Sequence, residues 1–447
     1  MANKVNVVVV GAGAAGMAAA RTLTKAGLSV RVLEARDRVA GRTMAGRLSN
    51  GVHVDKGGQW VGPTQDAALG LIAELGLETY LQYDAGDELT VYDGNVVRYR
   101  DDSFGLPEKS ASEARRVFTA IDSLAATVNQ AEPWKTEGAT DLDHQTFDSW
   151  LTATTSDTLA QRYWRWFAAV FYAAESTEFS LLHALYHVKC GTNLQTMMTN
   201  IGGGQEAKVV GGTHQISERI AEELGDAVQL GAVVRTITQD DEGVRVDFEG
   251  GSVTADHVIV AMPPTLAGRI RYVPPLPSTR DHLTQQIPEG SVIKIHIAYE
   301  TPFWREEGLT GSVVSLDDEI GFTLDGCPPD TSCGVLVGFA AGAQARAMRA
   351  LAADERGKLI IDTMTKWFGP RAAKPFDIGE KDWNEEEFSR GCYGGHLGGG
   401  VWTQFGEALK APVGRIHWAG TETADAWNGY IDGAIRSGYR AAAEVLA

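Results

Sequence analysis

The residues with the clearest chemical meaning are three glycines near the N-terminus, Gly11, Gly13 and Gly16, in the stretch GAGAAG. At this spacing the first glycine allows a tight turn, the second lets the backbone approach a pyrophosphate, and the third lets a helix pack closely on a strand. Glu34 follows Gly16 by eighteen residues, close to the roughly 20-residue offset at which an acidic side chain binds ribose hydroxyls. Together these residues predict a dinucleotide site.

Three secondary-structure elements must position these residues. The β-branched run at residues 5–10 predicts a strand buried in a parallel sheet. A helix is expected over residues 14–26, ending at Gly27, with its N-terminal amides facing the phosphates. A second strand at residues 30–33 ends at Glu34. This order is typical of the first unit of a Rossmann-type fold.

The residues after Glu34 indicate which dinucleotide binds. Arg36 and Arg42 flank a second glycine turn at Gly41 and could supply cationic donors to the same pyrophosphate. An NAD dehydrogenase does not need this second phosphate clamp. Further along, paired glycines ending in Gly58 precede Gln59 and Trp60, where a flat ring system could lie against the backbone. These features favour FAD.

Composition limits the remaining possibilities. A length of 447 residues favours two structural units. The net charge of -18 disfavours nucleic acid or an anionic membrane as a partner, because both require a basic surface. No run approaches the roughly 20 apolar residues of a membrane span, and no signal peptide precedes the first strand, so a cytoplasmic location is expected. The four cysteines form no CxxC pair and there is no HExxH, so no metal site is predicted.

Five blocks of sequence resemble the flavin-containing monoamine oxidase family. The blocks are LEARDRVAGRT, VDKGGQWVGPTQ, GGGQEAKVVGGTHQISERI, GSVIKIHIAYETPFWR and WAGTETADAWNGYIDGAIRSGYRAA. The similarity runs in the same order from Val5 to the C-terminus without a large insertion. One departure is Ala40, where the family usually has glycine, and a methyl group there is a mild change for FAD binding.

The resemblance implies an α/β fold with a discontinuous layout. A Rossmann-type FAD-binding domain is expected to comprise residues 1–80, 205–290 and 385–447. A second, α+β substrate domain, with a mixed sheet flanked by helices, is expected from residues 81–204 and 291–384. Residues 81–204 have a largely helical pattern, whereas residues 291–299 alternate as a strand. Because Lys294 shares one face of that strand with His296, the alternation does not show that this face is buried.

The resemblance also implies roles for residues near the flavin. Tyr393 and Tyr430 match an aromatic cage that orients an amine toward the flavin, and Lys294 matches a lysine that holds a water near the flavin's reactive nitrogen. Cys392 permits a thioether bond to a methyl group of the flavin's benzenoid ring. The further positions implied to bind FAD are Val234, Trp383, Thr421, Glu422, Tyr430 and Ile431.

The implied reaction is oxidation of an amine to an imine by hydride transfer to FAD. The imine then hydrolyses to an aldehyde and ammonia, and oxygen is reduced to hydrogen peroxide. The positions matching the family's substrate cavity are Phe171, Met198, Gln205, Phe322 and Phe339. They are mostly apolar and favour a hydrophobic primary monoamine.

Several alternatives stay open. A diamine such as putrescine would need an anion for its distal ammonium, for which Asp325 or Glu175 could be proposed, and a cyclic-amine or nicotine-type oxidase is the related choice. A flavin desaturase or porphyrinogen oxidase is disfavoured by Lys294 and the paired tyrosines. A non-catalytic flavin-binding regulator is a third class. Homodimers are common in the family, but the sequence itself does not reveal the oligomeric state.

Overall fold

The computed structural model describes residues 4–447 of the chain. In chain order the strands are β1 (Val5–Val10), β2 (Val30–Leu33), β3 (Ala45–Arg47), β4 (His53–Asp55), β5 (Trp60–Val61), β6 (Thr79–Leu81), β7 (Asp87–Tyr92), β8 (Asn95–Tyr99), β9 (Ala207–Val209), β10 (Val228–Gln229), β11 (Val234–Gln239), β12 (Val244–Phe248), β13 (Gly251–Ala261), β14 (Arg271–Val273), β15 (Val292–Tyr299), β16 (Leu309–Ser315), β17 (Phe322–Asp325), β18 (Gly334–Ala341), β19 (Asp377–Asp382) and β20 (Ile416–Ala419).

The α-helices make up most of the remaining regular secondary structure. They are α1 (Ala14–Lys25), α2 (Asp66–Glu74), α3 (Glu108–Thr127), α4 (Ala139–His144), α5 (Phe147–Thr154), α6 (Thr158–Tyr172), α7 (Leu181–Cys190), α8 (Leu194–Met198), α9 (Gln215–Leu224), α10 (Pro264–Ala267), α11 (Ser278–Gln285), α12 (Phe303–Glu306), α13 (Ala343–Arg349), α14 (Ala353–Phe368), α15 (Val401–Phe405) and α16 (Ile431–Leu446). Within residues 4–447, no helix combines the length and the apolar character that crossing a membrane requires.

The first sheet is the predicted dinucleotide-binding sheet. Its strand order is β10-β2-β1-β13-β12-β11-β14, and β20 also pairs with β13. Strand β1 is parallel to both β2 and β13, and its last four residues are buried, as a strand covered on both faces requires. The carboxyl end of β1 therefore meets the neighbouring strand ends at one edge, where ligands bind in such sheets.

Helices α1 and α16 cover this sheet together and approach each other closely at Gly438. A Cβ atom at that position would overlap the carbonyl oxygen of Ala15. Glycine at 438 is thus what allows the last helix of the chain to pack against the first. Through this contact the C-terminal segment returns to the dinucleotide site.

The second sheet has the order β19-β15-β18-β17-β16-β7-β8 and is antiparallel apart from the β16–β7 pair. All eight residues of β15 are buried, so the face carrying Lys294 and His296, which the sequence leaves undecided, is covered as well. The helical expectation for residues 81–204 is wrong over residues 87–99, where β7 and β8 form a hairpin. The Asp93-Gly94 turn and the alternating Leu89, Thr90 and Val91 favour a strand there.

The mixed architecture confirms the predicted fold class, an α/β protein with sheets flanked by helices. A large apolar cluster from α3, α5, α6 and α7 fills the helical region, a second cluster packs α1 and α16 on the first sheet, and a third lies under the second sheet. The exact division into two discontinuous domains stays a prediction.

Candidate functional site

One cavity of about 340 Å³ is lined by residues of both large sheets. Its lining includes almost every residue that the sequence assigns to a cofactor or substrate. These are Gly11, Gly13, Glu34, Arg36, Gly41, Arg42, Gly58, Gln59, Trp60, Val234, Trp383, Cys392, Thr421, Tyr430 and Ile431 for the cofactor, Lys294 and Tyr393 for catalysis, and Phe171, Met198, Gln205, Phe322 and Phe339 for the substrate. Residues more than 400 positions apart in the chain thus share one space.

Two predicted residues lie outside the lining. Gly16 sits inside α1, where an added Cβ would overlap the carbonyl oxygen of Gly11, so its role is helix–strand packing. Glu422 lies behind the lining and accepts hydrogen bonds from Arg42 at 2.6 and 3.1 Å. Both residues support the site without facing it.

The glycine turn after β1 is shaped to admit a phosphate. Gly11 has φ +101°, and a Cβ there would lie 2.6 Å from the carbonyl oxygen of Ala261, so the turn itself requires glycine. At Gly13 an added Cβ would make only an ordinary 3.9 Å contact with Gly41. The open space at Gly13 therefore belongs to the cavity and leaves room for a ligand against the backbone. No side chain caps the N-terminus of α1, so its first amides are available to an anion.

Glu34 closes one end of the cavity. Its carboxylate is 3% exposed, and it accepts hydrogen bonds from the amides of Ala12 at 2.7 Å and Arg36 at 3.0 Å. Oε1 also accepts from the Arg36 guanidinium at 3.3 Å, whereas Oε2 keeps a second lone pair to which a ribose hydroxyl can donate. Val234, at the start of β11, lines the same end. These contacts fit the ribose and adenine of a dinucleotide.

Both predicted arginine donors have protein partners. Arg36 bonds Glu386 at 3.0 Å and the Ser389 hydroxyl at 2.8 Å. Arg42 donates to the carbonyl oxygen of Tyr393 at 2.9 Å as well as to Glu422. Arg42 therefore also fixes the backbone beside the first cage tyrosine, which the motif alone does not reveal.

A buried acid cluster surrounds Arg42. Glu289 lies 3.3 Å from the guanidinium, and desolvation by burial, with the nearby charge of Glu422, holds the pKa of Glu289 well above its usual range. Glu422 and Glu289 are separated from Arg42 by 380 and 247 residues. One cation therefore joins the first sheet, the C-terminal segment and the connection into β15.

Lys294 projects from the middle of β15 and is 3% exposed. Its ammonium donates to the carbonyl oxygen of Gly57 at 2.7 Å and to the side-chain amide oxygen of Gln59, and it lies over the rings of Trp60 and Phe339 at 5.3 and 5.7 Å. Burial lowers the pKa of Lys294 to about 7. The amine can therefore gain or lose a proton near neutral pH.

Trp383, Cys392 and the paired glycines frame the central part of the cavity. The Trp383 indole donates to the carbonyl oxygen of Lys56 at 3.0 Å, which fixes the ring beside Gly57 and Gly58. Cys392 is 6% exposed, and burial raises the pKa of its thiol to about 12. The mostly apolar space that they line suits a ring system such as an isoalloxazine.

Aromatic rings dominate the far end of the cavity. Tyr393 lies edge-on to Phe339 at 6.4 Å, and Tyr430 lies edge-on to Trp427 at 4.8 Å. Phe322 stacks on Phe339 at 6.3 Å. Burial raises the pKa of both tyrosines, so their phenols are neutral. Neutral aromatic faces in an apolar space can hold a slim amine.

Sequence reasoning missed several lining residues, including His187, Asn200, Leu324, Phe388, Ser389 and Gly429. Gly429 could have been found, because it precedes Tyr430 within WNGY. His187 had a weaker signal as a polar residue in the apolar helix LLHALYHVKC. Phe388 and Ser389 carry no local pattern that indicates a site.

Outside the cavity, one group of side chains has metal-ligating atoms close together. The ligand atoms of His53, Asp55 and His214 lie within 4.8 Å of one another. Glycine at 212 keeps the space between them free of a side chain, since an added Cβ would lie 2.7 Å from both Asp55 and His214. We assign no ion to this group, and the sequence-based prediction of no metal stays a prediction.

Comparison with known proteins agrees with this geometry. The family model for flavin-containing amine oxidoreductases matches residues 14–446. A probable flavin-containing monoamine oxidase A of Dictyostelium discoideum is 38% identical over 448 residues, covering 100% of this chain and 98% of that protein. Two solved structures are also similar, each with 99% of both chains covered. They are putrescine oxidase bound to putrescine, with TM-score 0.96 and 37% identity, and cyclohexylamine oxidase from Brevibacterium oxydans IH-35A, with TM-score 0.95 and 35% identity.

These matches confirm the resemblance and, with it, FAD as the cofactor that the glycine turn, Glu34 and the central cavity fit. They agree with the monoamine interpretation and with its diamine and cyclic-amine alternatives. The chain therefore belongs to the family of flavin-containing amine oxidoreductases.

Proposed function

We propose that this enzyme oxidises hydrophobic primary monoamines, with oxygen as the electron acceptor. One molecule of amine, one of oxygen and one of water give an aldehyde, ammonia and hydrogen peroxide. FAD, when bound, would supply the hydride acceptor and the route by which the electrons reach oxygen. The protein binds the amine, orients its α-carbon and excludes water from it.

The observation that carries this proposal is the charge of the cavity lining. Along the cavity, within residues 4–447, the only carboxylate is Glu34, which lies at the ribose end. Asp325 is not among the lining residues. Its carboxylate instead accepts hydrogen bonds from Trp304 and Arg305. Glu175 is likewise outside and accepts from the amide of Ala343.

A diamine would have to bury its second ammonium in this cavity without an anion, at a cost of several kcal/mol. The solved relative named putrescine oxidase shows that the fold accommodates a diamine oxidase, so this lining is what favours a monoamine here.

Residue roles follow from the same positions. Tyr393 and Tyr430 act as the cage, with faces that accept a neutral amine. Lys294, held by Gly57 and Gln59, is placed to position a water or exchange a proton beside the reactive centre of the flavin. Phe322 and Phe339 form the apolar wall for the substrate chain.

Steady-state peroxide release tests this proposal. The kcat/KM value should be measured for benzylamine, hexylamine and putrescine over the same range of concentrations. We expect both monoamines to exceed putrescine by at least about tenfold, because an unpaired buried ammonium costs more than 1.4 kcal/mol. Introducing an anion with Leu324→Glu should raise activity on putrescine, and Leu324→Gln is the matched uncharged control. A wild-type preference for putrescine would contradict the monoamine proposal.

We further propose that Cys392 is joined to the flavin by a thioether. Cys392 lines the central cavity, and the positive charges of Arg42 and Lys294 both oppose the rise in its pKa. Attachment would replace one hydrogen of the thiol and one of the flavin methyl group by a sulfur–carbon bond, with oxygen as the two-electron acceptor that becomes hydrogen peroxide. The thiol proton must have an acceptor, since burial keeps the thiol protonated at neutral pH.

Acid precipitation tests the thioether directly. After denaturation, the yellow colour should remain in the wild-type pellet and move to the supernatant in Cys392→Ala. If the wild-type supernatant contains all of the flavin, there is no covalent bond. The two-domain division and the cytoplasmic location stay predictions from the sequence, and a homodimer stays an expectation from the family resemblance alone.

A further inference from the structure

His187 is a buried polar residue in the reaction cavity that the proposed mechanism does not use. It lies on α7, where every residue except Lys189 is buried. His187 is 8% exposed and lines the cavity together with Gly429 and Tyr430. Its ring is therefore presented to whatever occupies the cage end of the cavity.

The hydrogen bonding of His187 is incomplete. The other buried histidine of the helix, His183, accepts from the Trp402 indole at 3.3 Å. In contrast, Nε2 of His187 is buried and has no hydrogen-bond partner among residues 4–447. A buried polar atom is almost always paired, because leaving it unpaired costs free energy. An unpaired nitrogen in a ligand cavity therefore points to a ligand partner.

The surroundings place this nitrogen beside the cage. The imidazole lies edge-on to Tyr430, with centroids 6.1 Å apart, and edge-on to Tyr172 at 4.9 Å. Gly429 lies against the imidazole without a side chain, since an added Cβ would lie 3.3 Å from Cε1 and 3.6 Å from Nε2. Burial lowers the pKa of His187 to about 4, which leaves a neutral ring that can donate from one nitrogen and accept at the other.

Building on the proposed amine oxidase function, we propose that His187 is a specificity-determining residue that hydrogen-bonds a hydroxyl group close to the reacting carbon of the substrate. The cage tyrosine next to His187 holds the amine end, while Phe171 and Phe322 form the apolar wall beyond it. A hydroxyl on the carbon adjacent to the oxidised carbon falls between these two regions. The favoured substrate class is thus an aryl-substituted β-hydroxy amine.

The alternative role for His187 is packing alone. In that case the ring would only support Tyr430 through their edge-on contact, and its replacement would affect all amines equally. A hydrogen-bonding role instead affects only substrates that carry the hydroxyl group. A site built to hydrogen-bond a hydroxyl discriminates against the analogue that lacks it.

The test compares 2-amino-1-phenylethanol with phenethylamine, which differ by one hydroxyl. Peroxide release would give kcat/KM for both amines in the wild type, in His187→Leu and in His187→Gln. We expect the wild type to favour the hydroxylated amine and His187→Leu to reduce the ratio of the two kcat/KM values by about tenfold, the effect of one lost hydrogen bond. His187→Gln keeps a donor and an acceptor and should restore part of the ratio.

The outcomes separate this inference from the function on which it rests. If the wild type oxidises phenethylamine but the ratio is the same in His187→Leu, or if both amines lose activity equally, His187 has no such role. If the wild type oxidises benzylamine but neither of these two amines, this inference alone fails, and if it oxidises none of the three, the proposed monoamine function fails as well. The flavin absorbance per molecule of protein checks that each variant is folded. If His187→Leu loses its flavin, the ratio of the two kcat/KM values in the wild type and in His187→Gln decides whether His187 has this role.

Discussion

Replacing Lys294 by methionine should change the pH dependence of stability in a defined direction. Burial lowers the pKa of Lys294 from 10.5 to about 7, and at 1.36 kcal/mol per pKa unit this corresponds to about 5 kcal/mol. Between these two values the unfolded chain binds more protons than the folded one, so the lysine's contribution to stability rises with pH. Below pH ~7 the full cost of burying the ammonium is present.

Methionine removes this cost at every pH. It also leaves the acceptors on Gly57 and Gln59 without the ammonium, at about 1–3 kcal/mol each. That loss does not depend on pH. The stability of Lys294→Met relative to the wild type should therefore decrease by about 3 kcal/mol between about pH 7 and about pH 9, because 1.36 kcal/mol applies to each pH unit.

Urea unfolding of the flavin-loaded protein, followed by tryptophan and flavin fluorescence across this pH range, measures the difference. Lys358→Met is a suitable control, since this lysine is exposed on α14 and loses little hydration on folding. A difference between Lys294→Met and the wild type that stays constant with pH would refute the reasoning. So would a stability of Lys294→Met that rises relative to the wild type as pH rises.

Three further predictions concern the cofactor end and its supports. Glu34→Ala removes the acceptor of two backbone amides and the expected ribose ligand, so FAD affinity should fall by at least about tenfold, measured by flavin retained after gel filtration; retention equal to the wild type would contradict this role. Gly16→Ala places a methyl group against the Gly11 carbonyl, so it should lower both thermal stability and flavin content, and an unchanged melting temperature would be inconsistent with the packing. Arg42→Leu leaves the buried acids, Glu289 included, without their cation and should destabilise the protein by about 3–5 kcal/mol at neutral pH. Because the pKa of Glu289 is already raised, this loss of stability should shrink as the acids become protonated at lower pH. A loss that grows at lower pH would contradict the stabilising role of Arg42 among these acids.

Local backbone requirements made part of the site predictable. A tight turn that joins a β-strand to a helix N-terminus around a phosphate requires particular residue types at fixed spacing. Gly11, Gly16 and Glu34 were predicted from this requirement, and they lie at the expected positions of the turn, the helix and the second strand. Cys392 and Tyr430 were reached through the resemblance, since nothing near them in the sequence specifies a flavin. Their shared cavity depends on α16 packing against α1.

Long-range contacts explain what the sequence did not reveal. Arg42 has the pattern of a phosphate donor, but its main partner, Glu422, is 380 residues away. The burial of Lys294 depends on the elements that pack on both sides of β15. The alternating pattern within that strand does not show which elements these are. His187 has the sequence of a core helix residue, and only the cavity gives it a chemical role.

Anaerobic mixing of the flavin-loaded enzyme with an amine tests the central proposal most directly. Benzylamine should bleach the flavin absorbance completely, benzylamine carrying deuterium at the α-carbon should do so several-fold more slowly, and putrescine should be slower than either. Admitting oxygen should restore the colour with release of one equivalent of hydrogen peroxide. Flavin that no amine bleaches, or that putrescine bleaches fastest, would contradict the proposal that this cavity delivers a monoamine's hydride to the flavin.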